Sequence, residues 1–477
     1  MYSKLSLYIP VFITPFTNIC WALTFPPILP LLDPFYHEPD NISEYSLGET
    51  IRSRPIDNKI KGVLGYFNVA SATEFMYRST DANDNAVADV ATILVPDGNK
   101  ADNTKLVSYA VAYDSPNPNC APSYAVQLGS LATVGFVNIE SLTIHAALNR
   151  GWYVLLPDHG GLKGQFTVGR QMGLSILDAI RMALGEASRN LTGLSADARV
   201  AQFGYSHGSI ATGYAAEMAG AYAPDIANNF VGTALGGTIA NGTHIFETDN
   251  ARLPAGILMA SMLGLAHGYK NFSDLLDSEL GPRRVVFEFI GDHCADVIAA
   301  RGIFQNIYSY FKSGSAILYN DVFQTVLSGA FQMGVHGTPN RPLYLFKGVL
   351  DDISPIADTD QLVNEFYCPA GATVEYVRNL LTGHIAEFVF GLPGAYDWIA
   401  DRLNGVPLNA TGCTRRDVAL TDPNDIGVFK NFGEAAIEQG KNAVGLVRTE
   451  SGFGLGGILK LRIISIAGTA STIVSPV

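Results

Sequence analysis

An α/β fold with a mainly parallel central sheet is predicted by three observations. Strand-like and helix-like segments alternate from residue 106 to residue 236, a pattern that builds parallel sheets with right-handed crossovers. Asp114, Asp158 and Ser206 each follow a strand-like run, and such sheets carry their sites at the carboxyl ends of strands. Residues 200–213 read as strand, tight turn and helix around Gly204-Tyr205-Ser206-His207-Gly208.

The elements follow in order. Residues 23–54 are Pro-rich and read as irregular, lying along the domain surface. Residues 62–70 and 71–79 read as strands, 81–85 as a turn, and 86–95 as a strand that closes a hairpin. Residues 106–113 form a short apolar strand ending at Asp114-Ser115-Pro116. Residues 138–150 look helical, and 152–156 are a buried strand. Residues 169–187 place Ile176, Ile180 and Leu184 on one helical face. After residue 236 the pattern changes to helical periodicity, including an apolar helix at 254–267. This insertion reads either as extra core or as a lid over an apolar site, and the lid is the reading adopted. Strands resume at 342–346 and 373–377, with helices at 359–366 and 386–403. The expected division is therefore a leader at 1–22, a first core part at 23–240, a helical cap at 241–339, and a second core part at 340–477.

In Gly-x-Ser-x-Gly the turn is so tight that side chains two residues before or after the serine have no room. The turn lifts the Ser206 hydroxyl above the sheet edge and aims the His207 N–H at a forming oxyanion, beside the positive end of the next helix. A serine needs a base, and the base needs an acid that fixes its tautomer. His384 stands alone among the histidines in following the last sheet strand; His159 precedes the serine and His207 sits in the elbow itself. Asp351 is the candidate acid, with Asp352 as its competitor. The order Ser206, Asp351, His384 is that of α/β-hydrolases. Asp114, in the loop after an earlier strand, is placed to give the second oxyanion N–H.

Composition excludes several classes. The 477 residues are 48% apolar and 16% charged, with net charge −13, so a large core is available. No Lys/Arg cluster suggests nucleic acid, and the acidic surface disfavours anionic membranes. No His-Glu-x-x-His, paired Cys-x-x-Cys or P-loop is present, so neither metal nor cofactor is expected. A Gly-x-Gly-x-x-Gly match at 452–457 leaves too little chain for a dinucleotide unit and is rejected.

The basic start at Lys4, the apolar run 5–19 and Cys20-Trp21-Ala22 read as a secretory leader cleaved near Ala22. Pro10 and Pro15 argue against an anchor. Cys120, Cys294, Cys368 and Cys413 then remain, an even set suited to an oxidising compartment, with three pairings open. Asn41, Asn190, Asn241, Asn271 and Asn409 head glycosylation sequons. A secreted, extracellular monomer is expected.

The residues also carry a resemblance. Asp33-Pro34-Phe35-Tyr36, Ile51-Arg52-Ser53-Arg54, residues 85–92, Asp114-Ser115, residues 120–124, the elbow with Ala211-Thr212, residues 222–225, Asp351-x-Ile353-x-Pro355, Cys368-x-x-Gly371-Ala372 and His384 before Phe390-Gly391-Leu392 make the chain resemble the fungal secretory lipase family. The resemblance implies an α/β-hydrolase core with a helical cap and a C-terminal flap, and hydrolysis of carboxylic esters, typically triacylglycerols. It implies Ser206, Asp351 and His384 as the triad, with Asp114 and His207 as oxyanion donors. It also implies the pairings Cys120–Cys294 and Cys368–Cys413.

Two departures stand out: His207 replaces the family's glycine after the serine, and Ser354 replaces an apolar residue before Pro355. The His207 imidazole is expected to crowd the acyl site. The expected substrate is a lipid or small ester, met at a lipid–water interface. An alternative keeps the triad but acts on short esters or transfers acyl groups to alcohols; a non-catalytic binding protein is a third reading.

Overall fold

The computed structural model describes residues 26–63, 65–132, 135–408, 411–420, 433–436 and 438–439. The expected leader, the Gly-rich match at 452–457, the Asn409 sequon and most of the expected flap lie outside the described residues.

Twelve strands are formed among the described residues: β1 (Thr50–Ile56), β2 (Lys59–Gly62), β3 (Gly65–Asn68), β4 (Ser71–Thr80), β5 (Ala86–Val95), β6 (Asp102–Ala110), β7 (Trp152–Pro157), β8 (Arg199–Tyr205), β9 (Phe230–Gly236), β10 (Leu343–Gly348), β11 (Val374–Asn379) and β12 (Cys413–Val418). Ten make one sheet in the order β1-β4-β5-β7-β6-β8-β9-β10-β11-β12, and β2 pairs with β3 apart from it. β1, β4, β5 and β7 pair antiparallel. From β7 to β12 every ladder is parallel. Strands β7 and β10 are buried along their whole length, which is why they read as continuous apolar runs rather than alternating ones.

Four boundaries differ from expectation. Residues 62–70 are not one strand, because the chain turns between β2 and β3. The β6 ladder ends at Ala110, leaving Val111, Ala112 and Tyr113 as a buried segment that carries Asp114. The region read as irregular contains the first five residues of β1, preceded by short turns at Pro30–Leu32, Pro34–Tyr36 and Ile42–Glu44. Beyond the last expected strand, β12 adds a charged edge, Cys413-Thr414-Arg415-Arg416-Asp417-Val418.

Helices cover both faces. Gly169–Leu184 packs against His207–Tyr222 on one side. Gly135–Asn149 lies against β7, and His384–Asn404 against β8, β9 and β10, on the other. Between β9 and β10 come the helices Gly242–Thr248, Ala255–Gly268, Lys270–Leu280, Arg284–Gly291, Ala295–Gly302 and Asp321–Ala330. The second of these is apolar on every side and buried almost throughout, the pattern of a helix wrapped by other elements. Its Leu258, Met262 and Leu265 join the same core as Met172, Ile176 and Ile210. Disulfides Cys120–Cys294 and Cys368–Cys413 tie this helical layer to the loop after β6, and β12 to the chain before β11.

Candidate active site

Four loops at the carboxyl ends of parallel strands converge. Ser206 follows β8 and Asp114 lies just past β6; Asp351 follows β10 and His384 follows β11. The elbow is sterically fixed. A Cβ on Gly208 would lie 2.0 Å from the Ala110 carbonyl oxygen, and one on Gly204 would lie 2.1 Å from that of Gly208. Ser206 itself adopts φ 53° and ψ −120°, a backbone state that persists only where its surroundings impose it.

His384 Nε2 lies 2.9 Å from Ser206 Oγ, and its Nδ1 lies 2.8 Å from Asp351 Oδ2. Nδ1–H donating to the carboxylate leaves Nε2 free to accept the serine proton. Asp351 Oδ1 accepts the N–H groups of Ile353 (3.0 Å) and Ser354 (2.8 Å). Lys347, fully buried, places Nζ 2.7 Å from Asp351 Oδ2. Burial opposes the Asp351 charge, but the His384 bond and the Lys347 ammonium outweigh it and hold the carboxyl well below its usual range.

Asp352, the competitor, does not meet the imidazole. Its Oδ1 accepts the backbone N–H of His384 at 3.2 Å. Glu387 braces the same turn, accepting Asn379 Nδ2 at 2.6 and 2.7 Å and Thr382 Oγ1 at 2.5 Å. Burial pushes the Glu387 carboxyl up to about 7. Tyr205 O–H donates to the His384 carbonyl at 2.5 Å. Sequence reasoning missed Lys347 and Glu387. The visible signal for the first was a lysine inside an apolar strand run, four residues before Asp351.

On the oxyanion side, Asp114 has φ 43°, and its N–H faces His207 Nδ1 at 3.4 Å, a long and weak bond. His207 lines the cavity beside Ser206, together with Phe166. Its side chain is 2% exposed and packs edge-on to Phe166 and Tyr113 and against His159. Burial, with His159 beside it, pushes its basicity well down, so the ring is neutral and Nδ1 accepts. Burial also pushes the Asp114 carboxyl up to about 6, against the pull of His384.

Two other strand-end residues face elsewhere. Asp158 accepts the Ser123 N–H and Oγ–H at 2.8 and 2.5 Å. His159 Nε2–H donates to the Val111 carbonyl at 3.0 Å.

A cavity of about 80 Å³ touches Ser206 and Asp114. Ile210, Ile239 and Ile353 form its core side, and Ile245, Ile257 and Leu258 of the inserted helices form its roof. Asp249, also from the insertion, contributes a carboxyl whose Oδ2 is buried without a partner. Among the described residues no group of three or more His, Cys, Asp or Glu side chains is placed to hold a metal ion. Nor is any described helix long and apolar enough to cross a membrane. Asn41, Asn190 and Asn271 are exposed, whereas Asn241 is half-buried and caps a helix by accepting the His244 N–H.

A family model described as secretory lipase matches residues 126–411. The chain is 34% identical over 421 residues to Lipase 4 of Candida albicans, spanning 86% of this chain and 90% of that protein. It is 36% identical over 407 residues to Lipase A of Arthroderma benhamiae, spanning 83% and 84%. It is 33% identical to a secreted triacylglycerol lipase of Malassezia restricta, spanning 88% of each. Among solved structures, Candida antarctica lipase A matches with TM-score 0.74 and 27% identity, over 86% of this chain and 95% of that one. The rice cell wall degrading esterase LipA from Xanthomonas oryzae shares the fold, with TM-score 0.55 and 16% identity over 75% and 98%.

Proposed function

Since the chain belongs to the secretory lipase family of α/β-hydrolases, we propose that it is a secreted triacylglycerol lipase acting through Ser206, His384 and Asp351. Ser206 Oγ attacks the ester carbonyl while His384 Nε2 takes its proton. Asp351 holds the imidazole in the right tautomer and stabilises its charged form. The His207 N–H and the Asp114 N–H receive the oxyanion, the latter exchanging its weak His207 Nδ1 contact for a stronger bond. His384 returns the proton to the departing alcohol, and a water activated by His384 then releases the acid from Ser206.

The observation that carries this reading is the continuous line from Asp351 Oδ2 through His384 to Ser206 Oγ, at 2.8 and 2.9 Å, beside an apolar cavity. The inserted helices 241–339 act as the cap, opening at a lipid–water interface to admit the acyl chain. The leader at 1–22 directs secretion, the exposed Asn41, Asn190 and Asn271 carry glycans, and the enzyme works as a monomer.

A second reading, hydrolysis or transfer of short acyl groups, draws on the small volume of the cavity. Rates on p-nitrophenyl esters from acetate to palmitate separate the two. Rates that hold or rise to palmitate support the lipase; activity confined to acetate and butyrate sinks it in favour of the short-chain reading.

A further inference from the structure

Lys347 is the only charged residue of β10, and its side chain is fully buried. A buried ammonium is costly unless it is paired and hydrogen-bonded. Here Nζ donates to Asp351 Oδ2 at 2.7 Å and to the Thr238 carbonyl, just past β9, at 2.9 Å. The same Thr238 oxygen accepts from Ser354 Oγ at 3.1 Å, so the residue that departs from the family pattern helps lock this corner. Asp351 Oδ2 is thus shared by two cationic or potentially cationic donors, Lys347 Nζ and His384 Nδ1.

We propose that Lys347 is a positioning residue of the hydrolytic relay, and that its charge keeps the enzyme active toward acidic pH. The proposal rests on the reading of Ser206, His384 and Asp351 as the triad. Lys347 touches no substrate and acts through Asp351 in two ways. It fixes the carboxylate in rotation, because Oδ1 is held by backbone N–H groups and Oδ2 by the ammonium. It also offsets the Asp351 charge as felt at His384, so that a proton on the imidazole is less favoured in the resting enzyme.

The other charged groups around the pair are few. Lys347 is faced by Asp358 and Glu387 as well as Asp351. The imidazole is faced by Asp351 and Ser206 on its nitrogens, by the Tyr205 ring, by Asp352 through its backbone N–H, and by Asp114 and Asp249 across the cavity. All the other charges in this set are carboxylates, which favour a protonated imidazole. Lys347 is the one cation opposing them.

The test is the pH profile of kcat/KM on p-nitrophenyl butyrate for the wild type, Lys347→Gln, Lys347→Met and Lys347→Arg. The position of a limb does not depend on what fraction of a preparation is folded. In the Gln and Met variants the acidic limb should move up by about one pH unit, with KM little changed and kcat reduced. Lys347→Arg, which keeps the charge, should keep the limb near the wild-type position. A limb that stays put in Gln and Met while the rate merely falls, or that moves equally in Arg, overturns the proposal. Organophosphonate labelling of wild-type Ser206 is checked in parallel. Its absence would instead remove the triad reading on which the proposal rests.

Discussion

Asp114 turns its backbone N–H toward His207 Nδ1 across 3.4 Å, so the side chain beside the nucleophile serves the oxyanion loop from behind. The ring fills space between Tyr113, His159 and Phe166. Replacing it should cost packing more than it changes the substrate. His207→Ala is expected to destabilise the fold by about 2–4 kcal/mol, read as a lower denaturation midpoint, while the preference between butyrate and palmitate esters stays unchanged. A pronounced shift toward long chains would mean that the ring had been closing the acyl site.

Asp351 and Asp352 are neighbours with separable duties. Asp351→Asn should lower kcat by about 10³–10⁴-fold, the scale seen when a triad acid loses control of the histidine tautomer. Asp352→Asn keeps an amide oxygen that can accept the His384 backbone N–H and loses only the charge, so it should lower kcat by no more than about tenfold. Steady-state rates on p-nitrophenyl butyrate check both. The reverse ranking would reassign the acid.

Stability should fall from near neutrality into mild alkali. Burial raises Asp89, Glu217 and Glu387 to about 7 and Asp158 to about 8. Each of these carboxyls has a folded value above its unfolded value near 4. Its contribution is therefore complete below about pH 4 and is lost as the pH climbs through 7 to 8. Asp351 has the opposite sign and loses its contribution only in strong acid. Buried His159 and His207, held neutral, also have the opposite sign and lose their contribution as the pH falls below about 6.5. Above that value only the carboxyls change, so thermal midpoints should decline from pH 6.5 to pH 8.5. Midpoints that rise over that range would contradict this reading of the buried carboxyls.

The Cys120–Cys294 bond joins the loop after β6 to the inserted helices across a sequence separation of 174. Closing so long a loop stabilises a fold by about 3–5 kcal/mol. A Cys120→Ser/Cys294→Ser double variant should denature at a lower midpoint. Because Asn117 Nδ2 and Ser115 Oγ donate to the Asp292 and His293 carbonyls beside the bond, the oxyanion loop should still be held at room temperature, with kcat falling less than tenfold.

The sheet was legible wherever burial dictates composition. The runs at β6, β7, β8 and β10 are apolar because both faces are covered, and the elbow declares itself through Gly204 and Gly208, where a Cβ cannot fit. The edges were not legible. β12 exposes Arg415 and Arg416, and β1 pairs with β4 through arginines and serine; edge strands carry polar side chains that look like loop. The order of Ser206, Asp351 and His384 could be read along the chain. The orientation of His207 and the burial of Lys347 could not, because each depends on contacts between residues far apart in sequence.

The most direct measurement is hydrolysis of emulsified triolein by the wild type and by Ser206→Ala. The wild type should release fatty acid steadily, and the variant should lose about 10⁵–10⁶-fold, the scale at which a serine hydrolase fails without its nucleophile. A variant that retained activity within tenfold of wild type would contradict the assignment of Ser206, and with it the lipase mechanism built on its bond to His384.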